Sequence, residues 1–222
     1  MSLSGGTQKV TKVLLVCGIL SSLLYIATDI ITAMAFYPGY SYTSQQVSEL
    51  SAIGSPTRSL WVAMTIVWSP LVIAFGIGVW LLAGQKRALR VTGILLAIWG
   101  VVGFMWIFFP MHQRGTETLA ADVMHIVFAA VQVITMVLFI AFGAAALGRS
   151  FRLYSIGTIV ALLVFGAMVS TQVTAIAAGQ PTPWMGVFER VSVYAPMLWV
   201  LVFAVVLLGA QGTTLNTIRR TS

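Results

Sequence analysis

Long apolar runs separated by short polar breaks make up most of the chain. A helix needs about 20 apolar residues to cross the hydrocarbon core of a bilayer. Six runs meet that length: 13–36, 59–83, 91–109, 118–147, 153–178 and 188–209. The breaks carry turn chemistry, in YPGY, GSP, GQKR, GRSFR and GQPTPW. No run alternates with period two, so helices are expected rather than barrel strands. The pattern therefore predicts an all-α, polytopic membrane helix bundle of six transmembrane helices. No hydrophilic stretch is long enough for a separate soluble domain, so residues 1–222 read as a single integral membrane domain. The two three-helix halves do not match each other in sequence, and no internal repeat is expected.

Composition points to the same medium. The chain is 59% hydrophobic and 8% charged, with a mean hydropathy of +0.99. Soluble domains are about 45–50% apolar and about 25% charged, so this surface requires lipid. A single cysteine, Cys17, excludes an internal disulfide. The net charge of +7 would suit nucleic acid, but the placement of the charges gives another reason for it. Lys9, Lys12, Lys86, Arg87, Arg90, Arg149, Arg152, Arg219 and Arg220 fall at one end of the predicted bundle, and only Arg58, Arg114 and Arg190 at the other. By the positive-inside rule both termini are cytoplasmic. The basic excess answers anionic headgroups, so membrane lipids are the expected partners and nucleic acid is not. The expected location is a prokaryotic plasma membrane. One competing reading makes the N-terminus a signal peptide, from Lys9, Lys12, the apolar run and AMA at 33–35. The length of that run and Asp29 near its end speak for a retained first helix.

The acids are segregated more sharply than the bases. Asp29, Glu49, Glu117, Asp122 and Glu189 all lie toward the outer end, as do His112 and His125. Asp29 is seven residues before the outer end of the first span, and His125 is seven residues into the fourth. At 1.5 Å per residue both lie roughly 10 Å deep, where they would meet if the two helices packed together. Asp122 and His125, spaced i, i+3, share a helix face that continues through Ala129 and Gln132. Ser22 and Tyr25 lie on the Asp29 face. Ionisable groups inside a span normally face a partner or a cavity. Two readings follow: an acid/base site with His125, Asp29 and Asp122 as catalytic residues, or a hydrogen-bonded clamp between helices. A divalent metal held by His112, His125 and Asp122 is a third, although the spacing matches no closed zinc signature.

Arg58 and Arg190, with Glu49 and Glu189, are the candidate substrate-binding residues. Together with Arg114 the arginines would hold a phosphate or carboxylate headgroup. The alternative is local ion pairing with Glu49, Glu117 and Glu189. In the first outer loop Tyr37, Tyr40 and Tyr42 read as an interfacial belt. SEL and GSPTR read as a re-entrant lid with Glu49 and Arg58 paired. Ser48, Ser51 and Ser55 are candidate nucleophiles, but no elbow motif supports any of them. Trp61, Trp68, Trp99 and Trp106 read as core or lipid-facing residues, and Gly76, Gly100 and Gly103 as points of close helix contact.

Several of these segments, taken together, resemble a known family. They are Asp29 in the first span, VSELSAIGSPTR, FPMHQRG, ADVMH opening the fourth span and ER opening the sixth. Over residues 13–210 they look like the six-helix membrane family of unknown function DUF998, with a looser likeness to Frag1-type membrane proteins. The resemblance implies six helices, an uncleaved first helix, and Asp29, Glu49, Arg58, His112, Asp122, His125, Glu189 and Arg190 as the positions to watch. It implies no particular activity. Three functions therefore stay open: an enzyme acting on a lipid or lipid-linked substrate through an outward-facing site; a terpenoid cyclase using Asp29 or Asp122 as proton donor; and a non-enzymatic lipid-binding, transport or sensing protein.

Overall fold

The computed structural model describes the backbone of residues 5–116 and 120–221, with side chains for 6–116 and 122–211. Glu117, one expected ion-pair partner, lies outside the described residues. Among these residues there are helices and no strands. The helices are α1 (Gly5–Ile31), α2 (Arg58–Leu82), α3 (Arg87–Met105), α4 (Ala120–Ala146), α5 (Arg149–Ser170), the short α6 (Val173–Ala177) and α7 (Met185–Thr221). Six of them, all but α6, are long and apolar enough to span a membrane, as the pattern predicts. α1 continues into a π-helical turn, Thr32–Phe36.

The boundaries differ from expectation where polar side chains intervene. The predicted span 153–178 is split: α5 stops at Ser170 and α6 starts at Val173. Ser170 Oγ donates to the Gly166 carbonyl and Thr171 Oγ1 to that of Met168. Such local bonds compete with continued helix. α3 ends at Met105 rather than 109, and a turn precedes Pro110, which disfavours helix in the residue before it.

The spans form a ring in the order α1–α2–α3–α4–α5–α7, and α7 closes back onto α1. An aromatic column fills the centre: Phe75–Phe203, Trp199–Phe203, Phe139–Trp199, Trp99–Phe139 and Trp68–Trp99 have ring centroids 4.6–6.2 Å apart. The α2–α3 seam is the tightest. A Cβ on Gly76 would sit 2.6 Å from the Gly93 carbonyl oxygen and 2.7 Å from the Ala97 nitrogen, so the two backbones touch. Gly76→Val is expected to lose about 1–3 kcal/mol through forced separation. Gly157→Ala, with nothing within 4 Å of its added carbon, should leave thermal unfolding in detergent unchanged or raise it slightly. Equal unfolding temperatures for the two variants would refute this account of the seam.

The loosest seam lies between α4 and α5. The buried residues of α5 are Ser155, Thr158 and Leu162, all before its last eight residues. Beyond Leu162 no α5 side chain is fully buried, although Phe165 still packs on Phe188 of α7 with ring centroids 6.0 Å apart. The far half of α5 lies at the loop end, with segments 37–57, 106–116 and 171–184. The first of these folds back over the ring through a 3-10 helix, Val47–Ser51, in which Val47, Glu49 and Leu50 are buried. Backbone bonds join the three connections: Ile53 N–H to the Met111 carbonyl, Gly115 N–H to Ile176, and Val187 N–H to Thr43.

Candidate functional site

Beneath this folded-back segment lies a cavity of about 580 Å³. Trp61, Trp68, Trp99 and Trp106 line it together with Arg58, Ser48, Glu189, His125 and Gln132. Trp61, Trp68 and Trp99 are core residues, as expected, and they also form part of the cavity wall. Periodicity places an aromatic residue on an inward face, but it does not say whether that face meets a neighbour or a space. The polar stripe expected on α4 is present: His125, Ala129 and Gln132 face the cavity. A second cavity of about 220 Å³ adjoins it toward the loops, and the two share Ser48, His125, Ala129 and Glu189 as lining. Ile126, Ala130 and Ile134 of α4 and Leu163 and Ala167 of α5 line the larger cavity and are also exposed on the bundle surface. The cavity thus opens sideways through the α4–α5 seam.

Asp29 and His125 do not meet. α1 packs on α2 and α7, whereas α4 packs on α3 and α5. Asp29 is fully buried against the 4% exposed Arg190 of α7. Arg190 Nε and Nη2 each donate to one Asp29 oxygen at 2.9 Å, the two-pronged geometry in which guanidinium matches carboxylate. Nη1 donates to the carbonyls of Tyr42, Gln45 and Gly186, and Nη2 to the Tyr40 hydroxyl. The guanidinium carbon lies 3.6 Å from the centre of the Tyr42 ring. Tyr194, one turn after Arg190, donates to Asp29, so Tyr42 must donate to Tyr194 across their 3.2 Å contact. Burial pushes the Tyr40 phenol well above its ordinary pKa, with Arg190 pulling the other way, so it stays a neutral donor and acceptor. Sequence reasoning missed Tyr40, Tyr42 and Tyr194. The i, i+4 spacing of Arg190 and Tyr194 was the one available signal. Asp29 lines neither cavity, so this cluster is a clamp tying α1, α7 and the first loop.

The other charges are also paired crosswise. Glu49 does not bond Arg58. Its buried carboxylate accepts from Arg114 Nε at 2.8 Å and Nη2 at 2.6 Å, and from Gln45 and the Gln46 backbone. These bonds hold the Arg114 guanidinium above its usual pKa, against the effect of burial. Glu189 turns away from its neighbour Arg190, accepting from the Val47 backbone N–H and from Ser48 Oγ. Arg58 donates only to carbonyls, those of Ser51 at 2.7 Å and Ile107 at 3.3 Å, and forms no ion pair among the described residues. The three arginines therefore do not act as one headgroup site: two are neutralised, and Arg58 is left facing the cavity.

His112 and Asp122 bond each other, ring Nδ1 to carboxylate at 3.1 Å, and the His112 backbone N–H adds a 2.8 Å bond. His125 is separate: its Nδ1 lies 3.0 Å from the Phe109 carbonyl and its ring packs edge-on against Trp106. A carbonyl only accepts, so Nδ1 carries the hydrogen and a neutral His125 keeps its lone pair on Nε2. No three His, Cys, Asp or Glu side chains among the described residues gather to hold a metal. The expected set of His112, His125 and Asp122 is divided, because His125 is turned to the Phe109 carbonyl. Ser48 donates to Glu189, Ser51 to the Ser48 carbonyl and Ser55 to that of Leu50. No serine hydroxyl meets a histidine ring among the described residues.

A family model described as "Protein of unknown function (DUF998)" matches residues 19–206. No curated protein and no solved structure matches the chain.

Proposed function

The chain belongs to the DUF998 family, and from that premise, a multi-pass integral membrane protein, we propose that it binds an anionic amphiphile taken from the surrounding bilayer. The observation that carries the reading is Arg58, a cation without a carboxylate partner among the described residues, on the wall of a cavity that opens sideways toward lipid. A charged head would sit against Arg58; Ser48, whose hydroxyl is donated to Glu189, adds no donor to it. The apolar body would lie between α2, α3, α4 and α7. Such a ligand needs both a hydrocarbon path and a polar end, and the α4–α5 seam joins the two. With the termini cytoplasmic in a prokaryotic plasma membrane, as the basic residues favour, the ligand would belong to the outer leaflet.

Binding is preferred to catalysis because two of the three expected catalytic groups are occupied, and the third, His125, lines the cavity with no hydroxyl or carboxylate bonded to its ring among the described residues. Asp29 serves the clamp, and Asp122 holds His112. A prenyl chain in the larger cavity would reach neither acid, which speaks against the cyclase reading. To test the binding reading, lipids retained by the protein purified in mild detergent are identified by native mass spectrometry. Wild type is expected to retain an anionic amphiphile. Arg58→Gln should weaken that retention by about 10–100-fold, the loss of a charged hydrogen bond worth about 1.5–3 kcal/mol. Arg87→Gln, exposed at the opposite end of the bundle, should leave retention intact. Wild-type protein without a retained anionic amphiphile, or equal retention in Arg58→Gln, refutes the reading.

A further inference from the structure

Two charged groups on the cavity walls lack an opposite charge. Arg58 is bonded to carbonyls alone. Glu189, partly exposed and lining both cavities, accepts only from the Val47 backbone N–H and Ser48 Oγ. No ion pair among the described residues includes either of them. One 3-10 helix holds both: its Ser51 carbonyl accepts from Arg58, and its Ser48 hydroxyl donates to Glu189. Ser48 and Ser51 are one turn apart, about 6 Å along that axis. The smaller cavity is lined by carboxylates and imidazoles, with no lysine or arginine. His125 and His112 both line it, and each ring is fixed through Nδ1, on the Phe109 carbonyl and the Asp122 carboxylate. Both acceptors require a hydrogen on Nδ1, so each neutral ring presents a lone pair at Nε2. Neither Nε2 has a partner among the described residues, and neither is sealed from the cavity as the indole nitrogens of Trp68 and Trp99 are. A carboxylate without a cation and two open lone pairs favour a donor that carries positive charge.

We infer that the smaller cavity is a site for a primary ammonium, carried on the head of the ligand beyond the anionic group that Arg58 holds. The inference rests on the amphiphile reading above and deepens it. The head becomes dipolar, with its anion on Arg58 and its ammonium where Glu189 and His125 line both cavities. An ammonium brings three N–H donors, and Glu189, His125 and His112 offer it acceptors. A hydroxylated head would answer the lone pairs and leave the Glu189 charge without a counter-charge.

The test uses dioctanoyl phosphatidylethanolamine and dioctanoyl phosphatidylglycerol, titrated into the detergent-purified full-length protein and read by native mass spectrometry. The two share their chains and the phosphate anion, and differ only in the aminoethyl or glycerol group beyond it. Wild type is expected to bind the ethanolamine lipid about tenfold more tightly, the effect of a single charged hydrogen bond. Glu189→Gln keeps an acceptor for Val47 and a partner for Ser48 but removes the charge, and should bring the two lipids to equal affinity. Arg58→Gln should weaken both alike. Equal binding to wild type, or a preference for the glycerol lipid, overturns the ammonium site and leaves the amphiphile reading standing. A preference for the ethanolamine lipid that survives in Glu189→Gln also overturns the site. If neither lipid binds wild type, both readings fall.

Discussion

Replacing Arg190 by alanine is expected to lower the unfolding temperature of the detergent-solubilised protein by about 6–20 °C. The change leaves the fully buried Asp29 carboxylate without its cation and strips the carbonyls of Tyr42, Gln45 and Gly186 of a donor. Breaking a buried pair from one side costs about 3–5 kcal/mol, and a chain of this length loses roughly 2–4 °C per kcal/mol. Arg190→Lys keeps the charge but loses the planar fork, so it should fall between alanine and wild type. Asp29→Asn/Arg190→Gln should cost less than the sum of its two single changes, because neither half is then left as an uncompensated ion. Scanning calorimetry or a thermal-shift assay on the set decides the matter. Additive losses, or an Arg190→Ala midpoint within 2 °C or so of wild type, would remove the clamp from the account of stability.

Glu49→Ala should have the next largest effect, and a more local one. Glu49 caps the 3-10 helix from inside, accepting the Gln46 backbone N–H while Gln46 answers in return. It also anchors Arg114 from the second connection. Removing charged hydrogen bonds of this kind costs about 1.5–3 kcal/mol. The half-buried Arg114 recovers some water, which keeps the loss below that of the Arg190 variant. The distinctive outcome is protease sensitivity between residues 37 and 57, expected to rise while the spans stay protected. Glu49→Gln keeps two acceptors' worth of shape but one oxygen, and should fall between. Uniform loosening of the whole bundle, or no change in cleavage, would refute a local role.

The spans were legible because lipid imposes one rule on every helix that crosses it, a continuous apolar run. Their inward faces were partly legible: the His125–Ala129–Gln132 stripe follows from helical spacing alone. Partners were not. Asp29 and Arg190 are separated by 161 residues, and nothing in the local sequence of either names the other. Depth alone paired Asp29 with His125, but depth does not tell which helices adjoin in the ring. The loop misled for a different reason. Tyr40 and Tyr42 have the composition of an interfacial belt, yet the loop folds back and turns them onto Arg190. Gly186 permits this: a Cβ there would lie 2.3 Å from the Gln45 carbonyl oxygen and 2.5 Å from that of Tyr42.

The clamp joins the first span to the last, and this sets a schedule for biogenesis. A nascent chain inserted from its N-terminus commits Asp29 to the bilayer before Arg190 has been synthesised. At roughly 5–20 residues per second, the intervening 161 residues take about 8–30 s. Through that interval the acid relies on water, protonation or a helper protein. Glu49 gains Arg114 sooner, 65 residues on, but its Gln45–Gln46 segment is held down only when α7 arrives with Gly186 and Arg190. Chains truncated before residue 190 should therefore be recognised as unfinished by membrane quality control, even with five spans inserted.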